Sequence, residues 1–235
     1  MKIALCLSGQ PRNVPECYNS MIDNLIIPNS IKDIFVFSWW RPEFENTINI
    51  SKDVLNFIKE KFKPKKFMVE NDLEKKWHPR ESIVSTAEND LFPRVFAMYY
   101  ARYRCNLLRK EYCAENNIQY DAIVFSRFDN YFHNKININE FDLTAANSTA
   151  DRNKPQDINH VNDLIIVGNE KAANVYAEIY NNLPLISSKI THFYGEAING
   201  AWFKLNNISV KEPMVWPRDL TFYRILGRIE PPWPR

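Results

Sequence analysis

Glycine is scarce, with five in 235 residues, and none of them builds a GxGxxG or GxxxxGK[ST] pattern. That excludes the usual dinucleotide fingerprint and the Walker phosphate loop. Cysteine is equally sparse: Cys6, Cys17, Cys105 and Cys113 have no metal-ligand spacing, so they are expected to be free thiols, mostly buried. Long apolar runs are missing. The apolar run that starts the chain, Ile3 to Leu7, is too short for a signal-peptide core. Nothing approaches the roughly 18 apolar residues of a membrane span. The expectation is a soluble, cytoplasmic protein. A strong charge bias is absent too, since the formal net charge is +2. A dedicated nucleic-acid binder would carry a basic stripe, so nucleic acid is not expected as a partner. Lysines do cluster from Lys59 to Lys66 and at Lys75 and Lys76. They read as the solvated face and exit of a helix. The second reading is peripheral association with an anionic membrane surface.

What is present is an ordinary globular composition, 45% hydrophobic and 25% charged, which argues against disorder. Short β-like runs alternate with longer helical ones. Strands are expected at Ile3–Leu7, Asp33–Ser38, Lys66–Glu70, Ala122–Ser126, Leu164–Val167 and, as an edge, Ile208–Lys211. Helices are expected over Pro15–Leu25, after an N-cap at Ser51, from a first turn holding Pro93, over Glu170–Asn182 and over Glu196–Lys204. The Pro93 helix is expected to be capped by Asn89 or Asp90 and to bury the stripe Phe96, Tyr100, Tyr103 and Leu107. Residues 213–235, rich in Pro, Trp and Arg, read as irregular coil. This alternation implies an α/β fold: one domain with a mostly parallel, Rossmann-like sheet and helices on both faces.

Two strand ends carry most of the chemistry. IALCLSGQPRN stops in Ser8, Gly9, Gln10 and Arg12; YDAIVFSRFDN stops in Arg127 and Asp129. In open α/β sheets ligands bind beyond the carboxyl ends of the strands, so the two tips read as two walls of one site. Ser8 and Gly9 let a backbone turn closely around a ligand, and Arg12 suits a phosphate. The competing reading is a tight turn with an exposed arginine. Arg127 and Asp129 stand two apart and project to one side of an extended chain. They suit a diphosphate, one directly and one through a divalent cation to which Asn130 and His133 add ligands. The competing reading is a structural ion pair. Trp39 or Trp40 offers an indole for stacking on a base or sugar, or else a wall of the core. Asp157, His160 and Asp163 form a loose D-x-x-H-x-x-D cluster, either a metal site or a solvated loop. Glu196, after His192 and Tyr194, is either a general base or a first-turn acid complementing a helix dipole.

The ordered set KIALCLSGQPRN, DIFVFSWW, YDAIVFSRFDN and NDLIIVGNEKAANVYAEIYNNL resembles small GT-A-type glycosyltransferases of bacterial capsule and lipopolysaccharide clusters and of large DNA viruses. The resemblance implies a GT-A-like fold with a nucleotide-binding half (1–130), an acceptor-side half (131–212) and a wrapping tail (213–235). It implies transfer of a hexosyl or deoxyhexosyl group from a nucleotide-sugar donor to a glycan or lipid-linked acceptor. Ser8, Gly9, Gln10, Arg12, Trp39, Arg127 and Asp129 would bind the donor, and Asp163, Glu196 and Arg127 would serve catalysis. Arg127-Phe128-Asp129 would stand where such enzymes carry a DxD motif for Mn2+ or Mg2+, with Asp129 as the metal ligand. The first carboxylate of that motif is replaced by arginine. Two other classes stay open: a non-catalytic nucleotide- or glycan-binding module, and another phosphate-handling transferase such as a sulfotransferase.

Overall fold

The computed structural model describes residues 1–46, 50–71, 92–151, 160–216 and 218–223. Four strands form its parallel half: β1 (Ile3–Gly9), β2 (Asp33–Trp39), β3 (Lys66–Glu70) and β4 (Ala122–Ser126). β2 and β4 are buried throughout, and β1 up to Ser8, as expected of parallel strands covered on both faces. Past β4 come β5 (Asn130–Phe132), β6 (Ala146–Asp151), β7 (Ile165–Gly168), β8 (Val210–Trp216) and β9 (Leu220–Phe222). The main sheet has seven strands in the order β3-β2-β1-β4-β7-β6-β8, and β5 pairs with β9 in a small second sheet. β7 alone runs against its neighbours in the main sheet; β6 and β8 are again parallel.

The expected α/β class and mostly parallel sheet are what the structure shows. Helices α1 (Val14–Met21) and α2 (Val54–Phe62) bridge β1 to β2 and β2 to β3, while α3 (Phe92–Asn116) returns from β3 to β4. Right-handed crossovers therefore put α3 on the face opposite α1 and α2. Cys105 on α3 lies against the carbonyls of Leu7 and Phe35, and Phe35 and Phe37 meet Tyr112 and Tyr100 edge-on. Reversal of the winding direction at β1 and β4 opens a crevice at their carboxyl ends.

Several local expectations need correction. The first helix ends at Met21 and continues as a π-helical turn, Ile22–Ile26. Ser51 is no N-cap: α2 follows Asp53, whose φ is 57° and whose side chain makes no cap hydrogen bond. Pro93 does lie in the first turn of α3, whereas Asn89 and Asp90 fall outside the described residues. The fully buried face of α3 is Val95, Tyr99, Arg102, Asn106 and Arg109, beside Ala101, Cys105 and Leu108. Of the expected stripe only Phe96 is fully buried. The polar members are held by partners, Arg109 by both oxygens of Glu170 at 2.8 Å.

The expected Glu170–Asn182 helix is two helices, α4 (Glu170–Ala177) and α5 (Ile179–Ser187), meeting at Glu178 with ψ −2°. The bend lets Ala173 and Tyr176, and separately Leu183 and Ile186, face the core. α6 (Gly195–Leu205) follows. β8 runs to Trp216 and accommodates Pro213 because it is an edge strand. Within the expected coil, 213–216 and 220–222 are therefore strand; residues 217 and 224–235 lie outside the described residues. All four cysteines are free, with Cys113 only partly buried. No helix among the described residues is long and apolar enough to cross a membrane.

Candidate functional site

The register of the parallel strands brings the two tips together. Leu7 pairs with Ser126, so the segments 8–13 and 127–130 leave the sheet side by side. Arg12 Nη2 stands 3.5 Å from Asp129 Oδ2, across a long separation in sequence. Ser8 is buried, and Gly9 and Gln10 are half-buried at the rim. Gly9 has φ 119°, and a β-carbon built there would meet nothing within 4 Å. The glycine is required by backbone conformation, not by crowding. Gly9→Ala is expected to lower stability by about 1 to 2 kcal/mol through strain alone. Urea unfolding checks it; an unchanged midpoint would show that the turn relaxes freely.

Arg127 and Asp129 form a two-pronged ion pair. Nε donates to Oδ1 and Nη2 to Oδ2, both at 2.8 Å, while Phe128 between them is buried in the core. The chain turns at Phe128 and Asp129 directly after β4, and that turn brings the two side chains face to face for a forked contact. Burial alone would raise the Asp129 carboxyl pKa. The Arg127 guanidinium, and then that of Arg12, outweigh it and hold the pKa below the usual carboxylate range. Asp129 therefore stays ionised and fixes the Arg127 fork. The third guanidinium nitrogen, Nη1, makes no hydrogen bond among the described residues, and the side chain is 27% exposed. The Arg127 guanidinium also lies 5.9 Å from the centre of the Phe222 ring.

The tail contributes to this corner. Tyr223 N–H donates to the Asp129 carbonyl at 2.7 Å, and Asn13 Nδ2 donates to the Tyr223 carbonyl. The segment after β9 thus ties the β1 tip to the β4 tip. Sequence reasoning missed it, because three-residue strands leave no periodicity to read.

The expected ligands of a divalent cation are Asp129, Asn130 and His133. Both Asp129 oxygens are engaged by Arg127, and an incoming cation would meet two guanidiniums. Asn130 is fully buried; its amide nitrogen holds Ser126 Oγ and the Leu164 carbonyl, while its amide oxygen and His133 Nε2 are buried without a hydrogen-bond partner among the described residues. Among the described residues no three His, Cys, Asp or Glu side chains converge on a point. In this structure Asp129 is the counter-ion of Arg127 and Arg12.

Trp39 is also corrected. It is 2% exposed, stacks on Tyr100 at 5.4 Å and donates its indole N–H to the Ala97 carbonyl. It is a wall of the core and offers no free face to a base.

The second half supplies the far wall. β7 begins where β4 ends, Ser126 opposite Ile165, which puts Asp163 at the same sheet edge as Arg127. Arg102 Nη2 donates to the Asp163 carbonyl at 2.7 Å and lies 3.4 Å from Oδ2. Its guanidinium is sandwiched between the rings of Tyr99 and Tyr176, 5.2 and 5.0 Å away. Gly195, which opens α6, packs against Asp163: a β-carbon there would stand 3.4 Å from Oδ2. Glu196 sits in the first turn of α6, its carbonyl accepting the Val161 N–H at 3.0 Å. The D-x-x-H-x-x-D cluster does not assemble among the described residues, since Asp163 turns to Arg102 while His160 stacks on Tyr194. Asp157 lies outside them. Arg102 was missed because an arginine in a long helix reads as solvated; its spacing from Tyr99, Asn106 and Arg109 was the available signal.

No protein-family description matches the sequence, and no curated protein matches it. Among solved structures, the chain is similar to the nucleoside-diphosphate-sugar pyrophosphorylase of Vibrio cholerae RC9. The two are 12% identical, with a TM-score of 0.48 over 94% of each chain.

Proposed function

We propose that the protein is a nucleotide-sugar glycosyltransferase whose donor diphosphate is held by arginine rather than by a metal ion. The observation that carries this is Arg127. It sits at the switch point of the sheet, its fork is fixed by Asp129, and its Nη1 is left for a ligand. Arg12 adds a second positive charge at the same corner. A diphosphate there would find the Arg127 guanidinium already fixed, the condition for strong electrostatic stabilisation, with the Arg12 charge beside it. In this reading residues 1–130 hold the nucleotide and 131–212 the acceptor, as the resemblance of the sequence to GT-A-type enzymes implies.

Transfer would form a bond from an acceptor hydroxyl oxygen to the anomeric carbon while the bond to the diphosphate oxygen breaks. The departing diphosphate keeps the electron pair, and Arg12 and Arg127 stabilise its charge. In an inverting reaction the hydroxyl proton would pass to Asp163 or Glu196. In a retaining one those carboxylates would orient the acceptor. That Asp163 already holds Arg102 supports the second reading, a binding module without turnover, which hydrolysis of nucleotide sugars by the purified protein would exclude.

A thermal-shift screen with uridine, guanosine, adenosine and cytidine diphosphates tests the reading. A ligand at a hundred times its Kd raises stability by about 2.7 kcal/mol. At least one of the four is expected to stabilise the protein equally in EDTA and in Mn2+. Stabilisation that needs Mn2+ would return Asp129 to a metal role.

A further inference from the structure

A second cavity, of about 460 Å3, opens beside α6, within the range of small-molecule sites. Lys189 and Lys204 line it together with His160, His192 and Tyr194, over a floor that includes Ala197 and Ala201. Among the described residues no carboxylate lines it. Neither lysine enters an ion pair among the described residues. The three rings form a continuous edge: His160 and Tyr194 stack at 5.6 Å and 11°, and His192 stands 6.5 Å from Tyr194. Tyr194, at one end of the cavity, precedes Gly195, the residue packed on Asp163.

We infer that this cavity binds a sugar carrying a phosphate or carboxylate group, as the acceptor of the reaction. Apolar and aromatic surface suits the C–H face of a pyranose. Two ammonium groups, with no carboxylate among the described lining residues, favour a negative charge on the ligand. The role as acceptor site rests on the transferase reading above; the anion selectivity does not.

The chain has four histidines, of which His160 and His192 line the cavity, so imidazole proton signals report on it directly. The protein is titrated with glucose 6-phosphate, glucuronate, glucose, inorganic phosphate and uridine monophosphate. Signals are assigned with single His→Gln variants. Glucose 6-phosphate or glucuronate is expected to shift the His160 and His192 signals and to leave His133 unmoved. The affinity is expected to be at least about tenfold above that for glucose or phosphate alone, the scale of one charge-assisted contact. Lys189→Ala/Lys204→Ala should erase that margin while stabilisation by the nucleoside diphosphate persists. Equal binding of glucose, of inorganic phosphate or of uridine monophosphate would overturn the assignment, as would an unaltered double variant. Loss of nucleoside-diphosphate binding in the wild type, with the sugar shifts intact, would instead overturn the transferase reading and leave the anionic-sugar site standing.

Discussion

Arg127→Ala is expected to weaken nucleoside-diphosphate binding by about 1.5 to 3 kcal/mol, the scale of hydrogen bonds to a charged group. In a titration that is a rise in Kd of about tenfold to a hundredfold. The effect should be large because Arg127 is held ready: both prongs of its fork are anchored on Asp129, so little side-chain entropy remains to be lost on binding. Arg127→Lys separates charge from shape. Lysine keeps the positive charge but cannot hold two parallel bonds to Asp129 while pointing a third donor outward. It is therefore expected to recover only part of the affinity. A folded Arg127→Ala protein with unchanged affinity would make the Arg127–Asp129 pair purely structural.

Asp129→Asn should reveal the other half of the pair. The substitution is nearly isosteric, yet it leaves two guanidiniums facing a neutral amide. Breaking a buried ion pair from one side costs about 3 to 5 kcal/mol. Asp129 is 8% exposed, but Arg127 at 27% and Arg12 at 41% reach solvent, so screening reduces the expected loss to about 2 to 3 kcal/mol. The same carboxylate predicts a pH dependence. Its pKa in the folded state is lowered, against an ordinary value of about 3.9. Its stabilising contribution is thus fully present above that ordinary value and lost as pH falls through the lower folded-state value. Wild type should lose stability on acidification below about pH 4 more steeply than Asp129→Asn. Asp219 and Glu170, also lowered by arginine partners against the effect of burial, should keep part of the acid sensitivity in both. Denaturation midpoints at pH 7 and pH 3 measure the difference. Parallel pH profiles for the two proteins would show that the Asp129 charge does not couple to folding.

The parallel half of the fold was legible because its strands are continuous apolar runs bounded by polar tips. Lys66–Glu70 and Ala122–Ser126 were read to the residue. Pairing of those tips was legible too, since strand order at a switch point places Arg12 beside Asp129. Polar residues doing core work were not. β6 reads ANSTAD, a poor strand by propensity, yet Asn147, Ser148 and Thr149 are buried there. The Asn147 amide is held by the carbonyls of Asp142 and Val167. Arg102 and Arg109 lie on the buried face of α3 for the same reason: their partners, Asp163 and Glu170, come from residues 61 positions away. Trp39 was read as a ligand platform because sequence cannot tell an indole at a strand end from one folded under the next helix. An ion pair of Arg127 with Asp129 was one of the two readings of their spacing, but the engagement of both carboxylate oxygens by one guanidinium, on which the proposed metal-free diphosphate site rests, is visible only in the folded chain.

The most direct measurement is a crystal structure with whichever nucleoside diphosphate stabilises the protein, grown in EDTA. The predicted result is a diphosphate at the carboxyl ends of β1 and β4, with oxygens within hydrogen-bond distance of Arg127 Nη1 and of Arg12, and with the Arg127–Asp129 fork intact. A diphosphate seated elsewhere on the molecule, or one that enters only with a metal ion on Asp129, would contradict it.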